Sequence, residues 1–361
     1  MKALILVGGL GTRLRPLTIN TPKAMMPVLG KPFLAHVIDQ LVKHGVDEVI
    51  VTRGHLAGQM ERYFGDGSST GITMTYVEEA RPLGTAGGIK NCEAHLDSTF
   101  IVLNGDVFST IDVSSMLSAH REKRAMATIA LVPVENPSAF GLVETDRDGR
   151  IIRFIEKPKP DEVTTDLINA GCYILEPEIL DYIEPGANVS IERETFQMLL
   201  KDRRPFYAWS DRGAYWIDMG NRDKYLELNK DILEGRCRCA ASLPPGFHLG
   251  EDADIDATAS ITGNVVIGRN CRVGAGARII GPAVLGDGCT VAPGATIERS
   301  LVWSGVSLCE GAVVDSSIIA DGCRISPRNR ITASALADGV YTPPDFVLAD
   351  SQIWPGTILS N

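Results

Sequence analysis

Apolar and polar positions in the first two-thirds of the chain alternate between two periods. Residues 3–7 form an unbroken apolar run that stops at Gly8-Gly9, as expected of a strand buried on both faces of a parallel sheet. Phe33, Leu34, Val37, Ile38, Leu41 and Val42 fall on one helical face that ends near Gly45. Residues 49–51 predict the next strand, 56–64 a helix, 72–77 a strand, 85–95 a helical stretch and 100–103 a central strand. This alternation predicts an α/β fold, a doubly wound, mostly parallel Rossmann-like sheet. Beyond Ala125 the strands become short and irregular (128–132, 141–144, 151–155, 172–175), which reads as an insertion. A helix from Asp223 to about Leu233 closes this region, and Leu243-Pro244-Pro245-Gly246 reads as a linker.

The pattern then changes to a period of six. Leu249, Ile255, Ile261, Ile267, Val273, Ile279, Leu285, Val291, Ile297 and Trp303 recur at that interval. Four residues after each comes a mostly small one: Ala253, Ala259, Val265, Cys271, Ala277, Ala283, Cys289, Ala295, Leu301 and Ser307. Neither a helix nor a strand has this period, but a hexapeptide-repeat β-helix does. The pattern resembles the left-handed parallel β-helix, in which three hexapeptides complete a coil. On that reading Cys271 and Cys289 stack as small interior residues. Two domains are expected, residues 1–236 and 243–361.

Composition narrows the function classes. The 361 residues carry a formal charge of −10, which argues against a broad nucleic-acid surface yet leaves room for a small basic pocket. No stretch approaches the ~20 apolar residues that span a bilayer, and Met1-Lys2 leads directly into the first strand, leaving no room for a signal peptide. The eight cysteines include no Cys-x-x-Cys pair, so zinc is not expected and reduced thiols in a cytoplasmic protein are.

Candidate chemistry begins where the first strand stops. Gly8-Gly9-Leu10-Gly11-Thr12-Arg13-Leu14-Arg15 continues to Thr21-Pro22-Lys23. Glycines after a strand let backbone N–H groups approach a polyanion, and the nearby cations suit a nucleoside triphosphate. A Walker A loop would need Gly-Lys followed by Ser or Thr, and a dinucleotide fingerprint a third glycine; neither is present. Asp106, in Asn104-Gly105-Asp106 at the carboxyl end of the central strand, suits Mg²⁺ ligation or a helix cap.

The run from Leu6 through Lys23 closely resembles the signature of the sugar-1-phosphate nucleotidyltransferases. The resemblance implies that Leu6, Gly8, Gly9, Gly11, Thr12, Arg13 and Lys23 bind the triphosphate. Pro82 to Gly88 resembles the nucleobase loop, which brings in Gly84, Thr85 and Ala86, and is most similar to the mannose-1-phosphate guanylyltransferase branch. Trp216-Ile217-Asp218-Met219-Gly220 matches a family segment that places Asp218 beside Asp106 as the Mg²⁺ ligands. Glu156-Lys157-Pro158, Asn169-Ala170-Gly171 and Ser190-Ile191-Glu192 match further motifs. They assign Gly105, Glu156, Lys157, Asn169, Gly171 and Glu192 to the sugar 1-phosphate. By itself Glu-Lys before proline reads as an exposed loop, and Ser190 as a helix cap.

Arg13, Lys23, Asp106, Lys157 and Asp218 are the implied catalytic residues. The implied partners are a nucleoside triphosphate (GTP) and a sugar 1-phosphate (mannose 1-phosphate), with no nucleic acid and no membrane, in a homo-oligomer assembled through the β-helix. Thymidylyl-, uridylyl- or adenylyltransfer to glucose 1-phosphate and guanylyltransfer to heptose 1-phosphate are the alternatives. An acyltransferase β-helix would need a histidine base, and the coils offer His248 alone, at their edge. A non-catalytic regulatory subunit would lack a signature charge, whereas all five are present.

Overall fold

The computed structural model describes residues 1–9, 11–54, 58–156, 158–237, 239 and 243–360, with the side chains of Glu156 and Pro160 left aside. The chain packs as two units, neither continuous in sequence. One comprises Met1–Leu10 and Val37–Asp218, the other Gly11–His36 and Met219–Asn361. No described helix is long and apolar enough to cross a membrane.

The first unit is built on one sheet. In chain order its strands are β1 (Lys2–Leu6), β2 (Glu48–Arg53), β3 (Thr73–Glu78), β4 (Phe100–Asn104), β5 (Val107–Ser109), β6 (Ala127–Pro133), β7 (Gly141–Thr145), β8 (Ile151–Glu156), β9 (Leu167–Leu175), β10 (Phe206–Ser210) and β11 (Trp216–Asp218). The sheet runs β8-β7-β9-β4-β1-β2-β3, with β6 beside β9 and β10 beside β6; β5 and β11 form a separate two-stranded ribbon. β1 to β4 are mutually parallel, and β9 returns antiparallel to β4. Ala3, Leu4 and Ile5 have no exposed surface, which is why this strand reads as a continuous apolar run. Chain order reverses between β1 and β4, opening a crevice at the carboxyl ends of the parallel strands where such sheets bind ligands. The predicted strands and helices of this region are all present; residues 56 and 57 of the predicted 56–64 helix lie outside the described residues, and the rest is the helix Gly58–Phe64.

The second unit contains the expected left-handed β-helix, wound as three parallel sheets of seven, five and six strands. Ile267, Leu285, Val302, Ile319 and Leu336 stack coil upon coil in its interior. The six-residue period holds only through Ile297. Ile267 pairs with Leu285, 18 positions on, but Leu285 pairs with Val302, 17 positions on. One residue has been lost from the corner between Glu298 and Leu301, and later coils keep the shorter length. Val302 and Val306 therefore fill the interior in place of Trp303 and Ser307. Cys271 and Cys289 are small core residues as expected, their thiols donating to the Gly286 and Trp303 carbonyls at 3.1 and 2.9 Å. The helix Arg222–Leu233, capped by Asn221 accepting from the Lys224 N–H at 2.9 Å, belongs to this unit.

Candidate active site

Three loops at the carboxyl ends of β1, β3 and β4 build one half of the site. Leu6 ends β1, and Gly8-Gly9 follow it. The Thr52 hydroxyl, at the end of β2, accepts the Val7 N–H at 3.0 Å and donates to the carboxylate of Glu79. Glu79 also receives the Leu83 N–H; burial nonetheless outweighs both bonds and holds its pKa above the usual carboxylate value of 4.5. Its two oxygens lie where a Cβ on Gly8 or on Gly88 would come within 2.9 Å. The carboxylate thus sits between the two glycine loops assigned to the nucleotide. Sequence reasoning missed it because Glu78-Glu79 reads as a solvated pair. In the structure Glu78 is exposed and paired with Arg53 at 3.2 Å, and the strand's alternation turns Glu79 the other way.

The loop from Pro82, assigned to the nucleobase by resemblance, runs into the helix Gly84–Asn91, whose first turn carries Thr85 and Ala86. Gly84 has φ +70°, and a Cβ there would lie 2.5 Å from the Val189 carbonyl oxygen, so no other residue fits. Thr85 connects this loop to the residues assigned to the sugar. Its hydroxyl accepts the Ile191 N–H at 2.8 Å and donates to Glu192 Oε2 at 3.0 Å. Ser190 Oγ donates to the same oxygen at 2.8 Å, and the Tyr173 hydroxyl donates to Glu192 Oε1 at 3.1 Å. Asn169 Nδ2 donates to that hydroxyl at 2.9 Å, while Asn169 Oδ1 accepts the Gly171 N–H at 3.0 Å. Burial and the adjacent Glu192 charge hold Tyr173 well above the usual phenol range, so it remains a donor. Ser190 does act as a cap, accepting the Arg193 N–H at 3.2 Å, but the turn it caps, Ile191–Thr195, is a π turn, a form frequent at functional sites.

Gly105 donates its N–H to the Leu6 carbonyl at 2.9 Å, joining the ends of β4 and β1, and a Cβ there would strike that carbonyl. Asp106 follows it into β5. In the β5–β11 ribbon Asp218 lies opposite Val107, the residue that follows Asp106, so the backbones of two residues more than a hundred apart in sequence run close together. The Trp216 indole N–H fixes β11 to the Ala170 carbonyl at 2.9 Å. Two carboxylates fit Mg²⁺, a hard cation that takes one or two of them and completes its shell with water and substrate phosphates. No group of three or more His, Cys, Asp or Glu converges among the described residues, so no all-protein cage is present there. Asn104 Oδ1 is buried beside Gly171 with no hydrogen-bond partner in this structure, an acceptor that nothing in the linear sequence singles out.

Gly11, Thr12, Arg13 and Lys23 belong to the second unit. Gly11 adopts φ +58°, its carbonyl accepts the Thr18 hydroxyl at 2.8 Å, and a Cβ on it would lie 3.4 Å from Lys23 Cβ. Arg13 stands exposed on the short turn Thr12–Leu14, and Lys23 is half-buried at the start of the turn Lys23–Met25. Glu156 ends β8 opposite Gly141, while its side chain and the whole of Lys157 lie outside the described residues.

Residues 2–235 match the family described as nucleotidyl transferase, and residues 264–299 match the bacterial transferase hexapeptide (six repeats). A mannose-1-phosphate guanylyltransferase from Mycobacterium tuberculosis is 42% identical over 267 residues, covering 73% of each chain. A UTP–glucose-1-phosphate uridylyltransferase from a Synechocystis strain is 38% identical over 64% of this chain and 63% of its own. Among solved structures, HddC from Yersinia pseudotuberculosis superposes with a TM-score of 0.55 at 29% identity, over 64% of this chain and 98% of that one. A putative glucose-1-phosphate thymidylyltransferase from Bacillus anthracis, with a TM-score of 0.58 at 23% identity over 63% and 94%, shares the fold. With residues 2–235 matched and its sheet and loops arranged as described, the chain belongs to the nucleotidyl transferase family.

Proposed function

We propose that the protein transfers GMP from GTP to mannose 1-phosphate, giving GDP-mannose and pyrophosphate. The observation that carries the choice of base is Glu79. An ionised carboxylate offers about four lone-pair sites and no donor. The Thr52 hydroxyl and the Leu83 N–H occupy two. The two that remain match an edge with two adjacent donors, which guanine has in N1–H and its 2-amino group and which uracil, thymine and adenine lack. The guanylyltransferase names of several relatives support the same reading.

In the proposed reaction an oxygen of the sugar phosphate attacks the α-phosphorus of the nucleotide. The new P–O bond forms as the α–β bridging bond breaks, and pyrophosphate leaves with that electron pair. A phosphate monoester is already largely dianionic near neutral pH, its second pKa being ~6, so no general base is required. The residues have to align the phosphates and offset their charge. Arg13 would grip the departing phosphates with its planar fork, Lys23 would face the α-phosphate, and Lys157 would hold the attacking phosphate. Asp106 and Asp218 would hold Mg²⁺, which when bound neutralises phosphate charge. Glu192 has both oxygens engaged and a lone pair to spare for a sugar hydroxyl, with Asn169, Gly171, Gly105 and Glu156 alongside.

We assign the chemistry to residues 1–236 and self-association to the β-helix from 243 onward. The eight free thiols favour the reducing cytoplasm. Pyrophosphate release from GTP, UTP, dTTP and ATP, each paired with mannose, glucose or heptose 1-phosphate, tests the assignment. Highest kcat/KM with GTP and mannose 1-phosphate is the expected result; a higher value for another pair replaces it. No turnover with any pair removes the enzymatic reading.

A further inference from the structure

We propose that Tyr225 is a positioning residue through which the β-helix sets the place of the Lys23-bearing segment. The lost residue at the coil corner turns Trp303 out of the β-helix interior, and its indole N–H donates to the Tyr225 hydroxyl at 3.1 Å. Tyr225 lies on the helix Arg222–Leu233 with no exposed surface, and its hydroxyl donates in turn to the Pro27 carbonyl. That carbonyl lies four residues beyond Lys23. One helical turn further on, Asn229 accepts the Leu29 N–H at 3.1 Å and donates to the Tyr225 carbonyl at 2.9 Å. On the other flank of Lys23, the Asn20 side chain donates to Asp338 in a later coil. The segment is staked on both sides of the lysine, and two of the stakes begin in the β-helix itself. The Tyr225 hydroxyl uses its donor on Pro27 and an acceptor site on Trp303. Its loss therefore leaves a half-buried carbonyl and a buried indole N–H unpaired, a larger penalty than loss of an exposed bond. Misplacement of a phosphate-binding lysine by an ångström is enough to slow a reaction that depends on alignment.

The inference rests on the nucleotidyltransferase reading of Lys23, so its test includes a readout independent of turnover. In Tyr225→Phe, amide exchange of peptides covering residues 20–30 should accelerate while peptides covering 265–297 exchange as in the wild type. The kcat/KM for GTP should fall about tenfold with the KM for mannose 1-phosphate changed by less than about twofold. Trp303→Phe leaves the Tyr225–Pro27 bond in place and should give a smaller change of the same sign. It also serves if the tyrosine variant fails to fold. Arg222→Ala removes a different tie to the coils, to the Ala333 carbonyl and Asp350, and should leave exchange at 20–30 and GTP use unchanged. Unchanged exchange at 20–30 in both aromatic variants overturns the proposal, as does an Arg222→Ala effect equal to theirs. Faster exchange in a protein whose wild type turns over no nucleotide would keep the tether and refute the enzymatic reading instead.

Discussion

Replacing Glu79 by glutamine tests the base assignment with almost no change of shape. The amide keeps one acceptor and puts a donor where the second carboxylate oxygen was. Guanine would then present two donors to one acceptor and one donor. Loss of one good bidentate pairing is worth ~1–3 kcal/mol, or about five- to 150-fold in kcat/KM. Uracil and thymine offer an N–H beside a carbonyl, which the amide complements, so kcat/KM for UTP and dTTP should rise while that for GTP falls. Pyrophosphate release at saturating mannose 1-phosphate, with each triphosphate varied in turn, reads the ratio. The pH profile adds a second readout. Burial raises the Glu79 pKa above 4.5, and guanine needs the ionised form. The GTP KM should therefore be lowest above that raised pKa and climb as pH falls through it, and the climb should vanish in Glu79→Gln. For folding the sign is the reverse. A carboxyl whose pKa is raised in the folded state stabilises it below 4.5, and that contribution is lost as pH rises through the folded value. A GTP-to-UTP ratio unchanged in Glu79→Gln would refute the lone-pair argument.

Asp106→Ala and Asp218→Ala should each fold and lose about a hundredfold or more in turnover, since each removes a proposed metal ligand; near-normal kcat in either, titrated against Mg²⁺, counts against the pair. Lys157→Ala should raise the KM for mannose 1-phosphate about tenfold or more and leave that for GTP nearly unchanged, the loss of one charge-assisted contact; steady-state kinetics with each substrate varied separates the two. Gly84→Ala forces a side chain into φ +70° and against the Val189 carbonyl, and should cost about 1–3 kcal/mol in thermal unfolding; an unchanged Tm would show that the loop yields. The full chain should sediment as a multiple of its 38.9 kDa, and a single monomer peak across micromolar concentrations would contradict assembly through the β-helix.

The legible features of the chain were periodic or local. β1, β2 and β4 follow from apolar runs with turn residues between them, because burial on both faces leaves no other pattern open, whereas β3, at the sheet edge, is only partly buried. The β-helix follows from a six-residue spacing that no simple helix or strand shares. The motif residues Asn169 and Gly171 bond directly, but they reach Glu192 through Tyr173, and Glu192 reaches the Gly84 loop through Thr85, hydroxyls that nothing in the linear pattern distinguishes from ordinary core and loop positions. That Asp218 lies opposite Val107, next to Asp106, depends on the register of a two-stranded ribbon, and register is a property of the pairing rather than of either strand.

Trp303 shows why an unbroken count can mislead. Each aliphatic position in the hexapeptide series predicts its successor only while every corner keeps its length. At residues 298–301 the sequence still supplies an apolar residue on schedule, so the count runs on past a deletion that only strand pairing reveals. Had the longer coil continued, Trp303 would have had to fit an interior whose stacked neighbours are Leu285 and Ile319, with no partner for its N–H among them. In the shorter coil Val302 fills that place, and the indole finds the Tyr225 hydroxyl outside. A bulky residue with a polar tip, falling where a period predicts an aliphatic, is thus physical grounds for suspecting a slipped register. The same slip supplies the donor that, on our proposal, holds the Lys23 segment in place.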